Sequence, residues 1–471
     1  MLSCCLTDLK TRVEKGGMAH SHDLVIRGGT VVTPMTADVA DVAIDGETIA
    51  AVGQNLQGVR EIDASGKLVF PGAIDAHTHM ALPVAGTVSS DDFASGTMAA
   101  ACGGVTTLVD FTVGGSETSI PEEIERRRAD AAPAVIDYAL HAEVIGWRPG
   151  REWEFREAIG LGVTSFKFYT AYEESGRRTP PGEMTTAFGA LAEWDAVALV
   201  HAEDESLISS IIERLTPDEI GRMSTLAEAR PDLCERSAIV QVARIARATG
   251  CRTHIVHVSS LLGLEAVRKG RTNGASLTAE TCPQYLLLTR EVYDRDDGHL
   301  FSASPALRSD DDRAALWAAL RCRDLDFIAT DHCSFTSQQK AWHGDFRDLP
   351  YGLPGVETLL PLVHSEIVGS GVLSLNDIPR LLSEGPARTY GLYPRKGAIE
   401  VGSDADLVVF DPQKTWRITA GNLHMNTDFS PYEGREVIGR VSVTIARGRV
   451  LFQDGEVLAE KGTGAYVARR G

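Results

Sequence analysis

Two periodicities divide the chain. Residues 23–70 alternate apolar and polar positions in short segments broken by turns: Leu24-Val25-Ile26-Arg27-Gly28-Gly29 leads into Thr30–Val32, followed by Asp41–Ile44, a turn at Asp45-Gly46, and Thr48–Val52. Period-two alternation between such turns predicts β-strands. The far end mirrors it: Ala405–Phe410, Val441–Arg447 and Val450–Phe452 are alternating or β-branched, with turns at Arg447-Gly448 and Asp454-Gly455. Neither end is long enough to bury a good core alone, so the two termini are expected to pair into one small β-sandwich.

Between them the pattern changes to strand–helix alternation, which signals βαβ units around a parallel sheet. Eight strands are predicted, at Ala73–His77, Thr106–Thr112, Asp137–Val144, Ser165–Tyr169, Val197–His201, Thr253–Val258, Ser276–Glu280 and Asp326–Asp331. Helical intervals separate most of them, among them Ile120–Ala132, Glu152–Ile159, Arg236–Ala248 and Leu262–Lys269. The fold expected is α/β: a (β/α)8 TIM-like barrel over 71–395 with a β-sandwich built from 23–70 plus 396–460. Residues 1–22 are expected to be an unstructured N-terminal extension and 461–471 a C-terminal tail. Catalytic groups of such barrels sit at the C-terminal strand ends.

Composition narrows the function classes. With 43% hydrophobic and 24% charged residues over 471 positions, the chain is not mainly disordered. Its formal net charge of −19, without a basic run, argues against nucleic-acid and anionic-membrane partners. No apolar stretch is long enough to span a bilayer. Eight cysteines, among them Cys4 and Cys5, are scattered without a C-x-x-C pair, which suits reduced thiols in a cytoplasmic protein. Met1 to Gly17 lack an apolar segment with a cleavage site, so no secretory signal is expected. Met1 and Met18 both remain candidate starts, with residues 1–17 an upstream extension in the second case.

The candidate chemistry begins at Pro71-Gly72-Ala73-Ile74-Asp75-Ala76-His77-Thr78-His79. Two histidines at i, i+2 on a strand face the same side and can offer two neutral nitrogen ligands to a divalent ion. The plainer alternative is a pair of strand histidines satisfied by local hydrogen bonds. Similar residue types recur at later strand ends: Lys167 between Phe166 and Phe168, then His201, His257 and Asp331. Four histidines, an aspartate and a lysine converging on one barrel mouth can hold two metal ions. A mid-strand lysine alone is ordinarily snorkelling or ion-paired. Its amine is neutral only about one part in a few thousand at pH 7. Flanking aromatics would depress the pKa by desolvation, and a neutral amine can add carbon dioxide to give an anionic carbamate.

Further stretches complete a pattern: Gly86-Thr87-Val88-Ser89-Ser90-Asp91-Asp92-Phe93, Gly103-Gly104-Val105-Thr106-Thr107, Ser165-Phe166-Lys167-Phe168 with Ala171-Tyr172, and His201-Ala202-Glu203. His257-Val258-Ser259, Ala279-Glu280-Thr281-Cys282-Pro283-Gln284-Tyr285, Ser304-Pro305, Thr330-Asp331-His332-Cys333 and Gly352-Leu353-Pro354-Gly355-Val356-Glu357 follow in order. Through these the chain resembles the cyclic amidohydrolases of the amidohydrolase superfamily, within them the hydantoinase/dihydropyrimidinase group, over about residues 23–468.

The resemblance implies a hydrolase acting on C–N bonds in small-molecule cyclic amides, opening 5-substituted hydantoins or dihydropyrimidines to N-carbamoyl amino acids. It also implies two Zn2+ (or another divalent metal) per subunit, bridged by a CO2-derived carbamate on Lys167 (N6-carboxylysine). His77, His79 and Asp331 would hold one ion, His201 and His257 the other. Asp331 would also shuttle the proton from the attacking oxygen to the leaving nitrogen, and Tyr172 would donate to the developing oxyanion. Ser304 and Tyr351 would contact the substrate ring through their backbones. A homo-oligomer, tetramer or dimer, is implied as well.

The other histidines have plainer readings. His254, three residues before His257, is expected on the opposite strand face as packing, and His332 behind Asp331 rather than on a metal. His141 is expected to be structural, His20 and His22 to precede the fold with no partner signal in the sequence, and Glu280 to orient its neighbours. Dihydroorotases of the superfamily place an arginine where this chain has Ala81, which counts against that activity. Leu82-Pro83-Val84 and Tyr351 also depart from common hydantoinase patterns and bear on the substrate rather than the reaction. Two alternatives remain: an allantoinase-like ureide hydrolase, and a non-catalytic scaffold like the collapsin-response-mediator proteins, which have lost metal ligands.

Overall fold

The computed structural model describes residues 21–469. Expectations for Cys4, Cys5, His20 and the choice between Met1 and Met18 concern residues outside that range. Eight parallel strands form the barrel: β1 (Ala73–Thr78), β2 (Val105–Phe111), β3 (Asp137–Glu143), β4 (Ser165–Tyr169), β5 (Val197–His201), β6 (Arg252–Ile255), β7 (Leu277–Thr281) and β8 (Phe327–Ile328). Each pairs with its sequence neighbour. The ring draws together between β8 and β1, where Thr78 bridges His332 and the His79 N–H donates to the His332 carbonyl at 2.8 Å. The side chains filling the barrel come from strands all round it: Ile74 and Ala76, Val109 and Phe111, Ala139, Val197 and Leu199, Phe327. This is a packed interior, not a pore.

Two strands are shorter than the apolar pattern predicts. The segment expected at Thr253–Val258 leaves the sheet after Ile255, and that at Asp326–Asp331 after Ile328. His257 (φ 40°) and Asp331 (φ 53°) both adopt left-handed backbone. A ladder needs extended residues, so each such turn ends its strand.

The second layer is a nine-stranded sheet made from both ends of the chain. Its centre is Leu68–Pro71, parallel to His22–Val32 on one side and antiparallel to Leu407–Arg417 on the other, with Leu407 opposite Pro71. Leu24, Ile26, Val42, Ile44, Val69, Leu407, Val409, Val443 and Ile445 form its core. The alternation missed Gly58–Asp63 and Leu68–Pro71, the latter because all four residues are buried and alternate nothing. His22 does not precede the fold: it opens the first strand, and its Nδ1 lies 2.9 Å from an Asp45 carboxylate oxygen.

Buried polar contacts join the layers. The Lys396 ammonium, fully buried, lies 2.6 Å from Asp137 at the start of β3, 2.9 Å from Asp404 and 2.8 Å from Asp406. The last described residues run against the N-terminal ends of β3 and β4. There the Val467 N–H donates to the Tyr138 carbonyl at 2.7 Å, and Arg469 donates to the Ser165 hydroxyl oxygen at 2.7 Å. The opposite end of the barrel is left to the site.

Candidate metal centre

β1 ends in His77 and Thr78, followed by His79. Beyond β8, the left-handed turn at Asp331 swings its carboxylate across the closure. His77 Nε2 and His79 Nε2 each lie 3.2 Å from the same oxygen, Asp331 Oδ1. These three donors sit within 4.8 Å of one another. On the other side, His201 Nδ1 at the end of β5 faces His257 Nε2 at 2.9 Å, brought inward by its own left-handed turn. Positive φ in residues other than glycine costs of order 1–3 kcal/mol and clusters at functional sites. Tyr172 shares it, at φ 70°.

Lys167 projects from the middle of β4, buried, its ammonium 4.9 Å from the Phe111 ring centre and 5.3 Å from that of Tyr169. Burial pushes its pKa down to about 8, against the opposing pull of Asp331, Glu280 and Glu143. The neutral amine fraction at pH 7 thus rises to about one-tenth. Burial, followed by the Lys167 charge, holds His77 well below the usual histidine range. His257 lies low from burial, with His201 and Lys167 adding to it. Burial also lowers His201, more than Glu203 raises it. Neutral imidazoles are what a cation requires.

Carboxylates behind the rings fix their orientation. Glu280 Oε1 lies 2.5 Å from His77 Nδ1, which leaves Nε2 aimed at Asp331. Glu203 Oε2 lies 2.9 Å from His201 Nε2, which leaves Nδ1 aimed at His257. Burial alone would raise the Glu203 carboxyl, but Arg230 and His201 more than reverse it and hold it well below the usual range. Metal-binding histidines commonly have such a partner on the second nitrogen. Nitrogen and carboxylate donors converging in two groups, with a readily neutralised amine acting on both, therefore fit a pair of divalent ions.

Tyr172 places its hydroxyl 2.6 Å from Ser304 Oγ, and Ser304 in turn donates to Glu203 at 3.1 Å. Burial is the main cause that pushes the Tyr172 phenol up to about 12, so it stays protonated as a donor. Tyr351 is half-buried and donates to the Phe346 carbonyl, while the following Gly352 N–H binds the Ser302 carbonyl at 3.0 Å. Leu82 to Val84 enter a small hairpin, Pro83–Val84 against Thr87–Val88.

Among the remaining histidines, His141 donates and accepts between Ser165 and the Ala76 carbonyl, and His332 Nε2 lies 3.2 Å from Asp91. His254 is not on the outer face of its strand. It stacks on Phe327 inside the barrel, its Nε2 3.3 Å from Glu280 Oε2, because the turn at His257 breaks the alternation the sequence argument assumed. Two contributors escaped the sequence reading. Phe111 lies flat beneath His79, with ring centres 4.8 Å apart, and Arg230 pairs with Glu203 at 2.5 Å. Phe111 carried a signal as the last inward residue of β2, whereas nothing local marked Arg230.

Residues 68–451 match the amidohydrolase family model. The chain is 36% identical over 457 residues to the D-hydantoinase of Streptomyces coelicolor, covering 94% of this chain and 97% of that one. It is 36% identical over 455 residues to the D-phenylhydantoinase of Escherichia coli O7:K1, covering 95% and 98%. Among solved structures, the dihydropyrimidinase from Brevibacillus agri superposes with a TM-score of 0.92 at 34% identity, covering 95% of this chain and 98% of that one. With strands β1 to β8 and the centre of the terminal sheet inside the matched region, the chain belongs to the amidohydrolase family.

Proposed function

We propose that this protein is a two-metal cyclic amidohydrolase that opens 5-substituted hydantoins, the D-enantiomers preferentially, or dihydropyrimidines at the ring amide to give N-carbamoyl amino acids. One observation carries the reading. All six expected donor residues converge at one barrel mouth, in a chain similar along nearly its whole length to D-hydantoinases. The names of the relatives support the enantiomer, and Ala81 offers no cation for a dihydroorotate carboxylate.

In this reading His77, His79 and Asp331 would hold one zinc ion and His201 and His257 the other, with Lys167, as N6-carboxylysine, completing the ligand set. Bound there, divalent ions lower the pKa of water and polarise the scissile carbonyl. The chain's own groups do the rest. Asp331 accepts the proton of the attacking oxygen and returns it to the ring nitrogen as the C–N bond breaks. The Tyr172 hydroxyl turns from Ser304 to the developing oxyanion, where a positioned donor contributes about 3 kcal/mol. Ser304 and Tyr351 hold the ring through their backbone groups. Free thiols at all six described cysteines agree with a reducing cytoplasm, and the expected assembly is a homotetramer or homodimer.

The test is ring opening of dihydrouracil and of D- and L-5-substituted hydantoins by zinc-loaded protein, beside Lys167→Ala. Turnover of either class, lost together with bound metal in the variant, is the expected result. Full turnover by Lys167→Ala would overturn the bridging role, and inactivity of the loaded wild type on both classes would overturn the substrate assignment.

A further inference from the structure

A second set of metal-binding side chains lies where the barrel meets the terminal sheet. Cys102 ends the helix Phe93–Cys102, at the start of β2, about 20 Å of strand from Phe111 at its mouth end. Glu357 stands two residues before the helix Leu359–Ser370. His424 follows the turn Ala420–Asn422, and its ring approaches Phe452 of the sheet with centres 6.3 Å apart. Sulfur, carboxylate oxygen and imidazole nitrogen all fall within 4.8 Å of one another.

The site is built rather than fortuitous. The His424 backbone N–H donates to Glu357 Oε2 at 2.5 Å, while its Nδ1 lies 2.8 Å from Oε1. Gly103 packs so tightly on the Glu357 backbone that a Cβ there would collide with it, which fixes Cys102 beside the carboxylate. Cys102 and Glu357 are buried, and His424 is one-third exposed, giving an ion a path from solvent.

We propose that Cys102, Glu357 and His424 form a third metal site, for a thiophilic divalent ion such as zinc or cadmium, that pins the barrel to the terminal sheet. A thiolate, an imidazole and a carboxylate are a donor set for zinc, and three protein ligands leave a fourth position for water. Entry of the ion displaces two protons to solvent, the Cys102 S–H and one from the His424 imidazolium paired with Glu357, leaving a thiolate, a neutral imidazole and a carboxylate around it. The 2.8 Å contact between His424 and Glu357 must open by about 0.5 Å to match tetrahedral ligand spacing at ordinary zinc bond lengths. Thiolate and imidazole donors select soft ions such as zinc and cadmium over magnesium and calcium, which prefer all-oxygen sites.

The experiment uses full-length protein with its mouth ions in place, titrated with cobalt(II) and with cadmium. No cysteine is among the expected mouth ligands, so the part of a thiolate-to-metal charge-transfer band that Cys102→Ser removes reports on the new site. The expected result is that band together with one additional ion per chain, both absent in Cys102→Ser and in His424→Gln, with turnover retained. His424 is partly exposed, so its variant stands if Cys102→Ser fails to fold. A band undiminished in either variant, or wild-type protein that gains no band with either metal, would overturn the proposal and leave a histidine–glutamate ion pair beside a bystander thiol.

Discussion

Replacing Lys340 by methionine should make the protein less sensitive to pH without unfolding it. The Lys340 ammonium is fully buried, and among the described residues it forms no ion pair with a carboxylate. It donates to the Ser302 carbonyl at 3.0 Å and the Ser302 hydroxyl oxygen at 2.6 Å, with the Phe335 ring centre at 5.6 Å. Burial, opposed only by Cys333, pushes it down to about 7, against about 10.4 in an unfolded chain. Between these values the unfolded chain binds more protons than the native one, so this group makes stability rise with pH. Each unit contributes about 1.4 kcal/mol, less near pH 7 where the native amine is half protonated, giving about 2 kcal/mol from pH 7 to pH 9. In Lys340→Met the Ser302 carbonyl keeps the Gly352 N–H at 3.0 Å and its hydroxyl keeps the Pro350 carbonyl at 2.9 Å, so neither is orphaned. Paired urea unfolding of wild type and variant, equally zinc-loaded, at both pH values measures the difference. Wild type should gain about 2 kcal/mol on the variant across the interval. Parallel pH dependences, or a variant that recovers relative to wild type at pH 9, would refute the reasoning.

Lys396, buried among carboxylates, should behave in the opposite way. Lys396→Met strips three carboxylates of their shared cation and should cost about 3–5 kcal/mol, read as a large drop in urea midpoint at pH 7. Glu203→Gln leaves Arg230 buried without its anion and weakens the hold on His201. Metal affinity or turnover should fall about 10–100-fold, measured by competition with a chelator and by steady-state rates. In wild type that carboxylate stays ionised until the pH falls well below the usual carboxylate range, so its stabilisation is lost only in strong acid. Tyr172→Phe removes a donor expected to matter only in the transition state. It should lower kcat about 10²–10³-fold with little change in KM, and an equal loss in both would contradict that role.

The sequence made the scaffold legible because strand–helix alternation and the His77–His79 spacing are local properties. Lys167 stood out for the same reason, as a charge between two phenylalanines. What stayed hidden depends on distance or on backbone sign. Arg230 meets Glu203 from a separate segment, and Lys340 and Lys396 look alike in sequence although one is buried with three carboxylates and the other with none. Strand parity also misled, because it cannot register the left-handed turns at His257 and Asp331. Those turns put His254 and His257 on the same side and brought Asp331 across to the histidines of β1.

The shared terminal sheet has a consequence for synthesis. Leu68–Pro71 takes its antiparallel partner from Leu407–Arg417, so its exposed edge waits while roughly 340 residues are translated, about 17–70 s at ordinary elongation rates. Throughout that interval an apolar strand edge is open to pairing with other nascent chains. A ribosome-associated chaperone, or barrel strands folding quickly behind it, must cover that edge until Leu407–Arg417 emerges. Chains released early by a premature stop before Leu407 will carry it permanently and should be cleared as aggregates rather than accumulate as a free barrel.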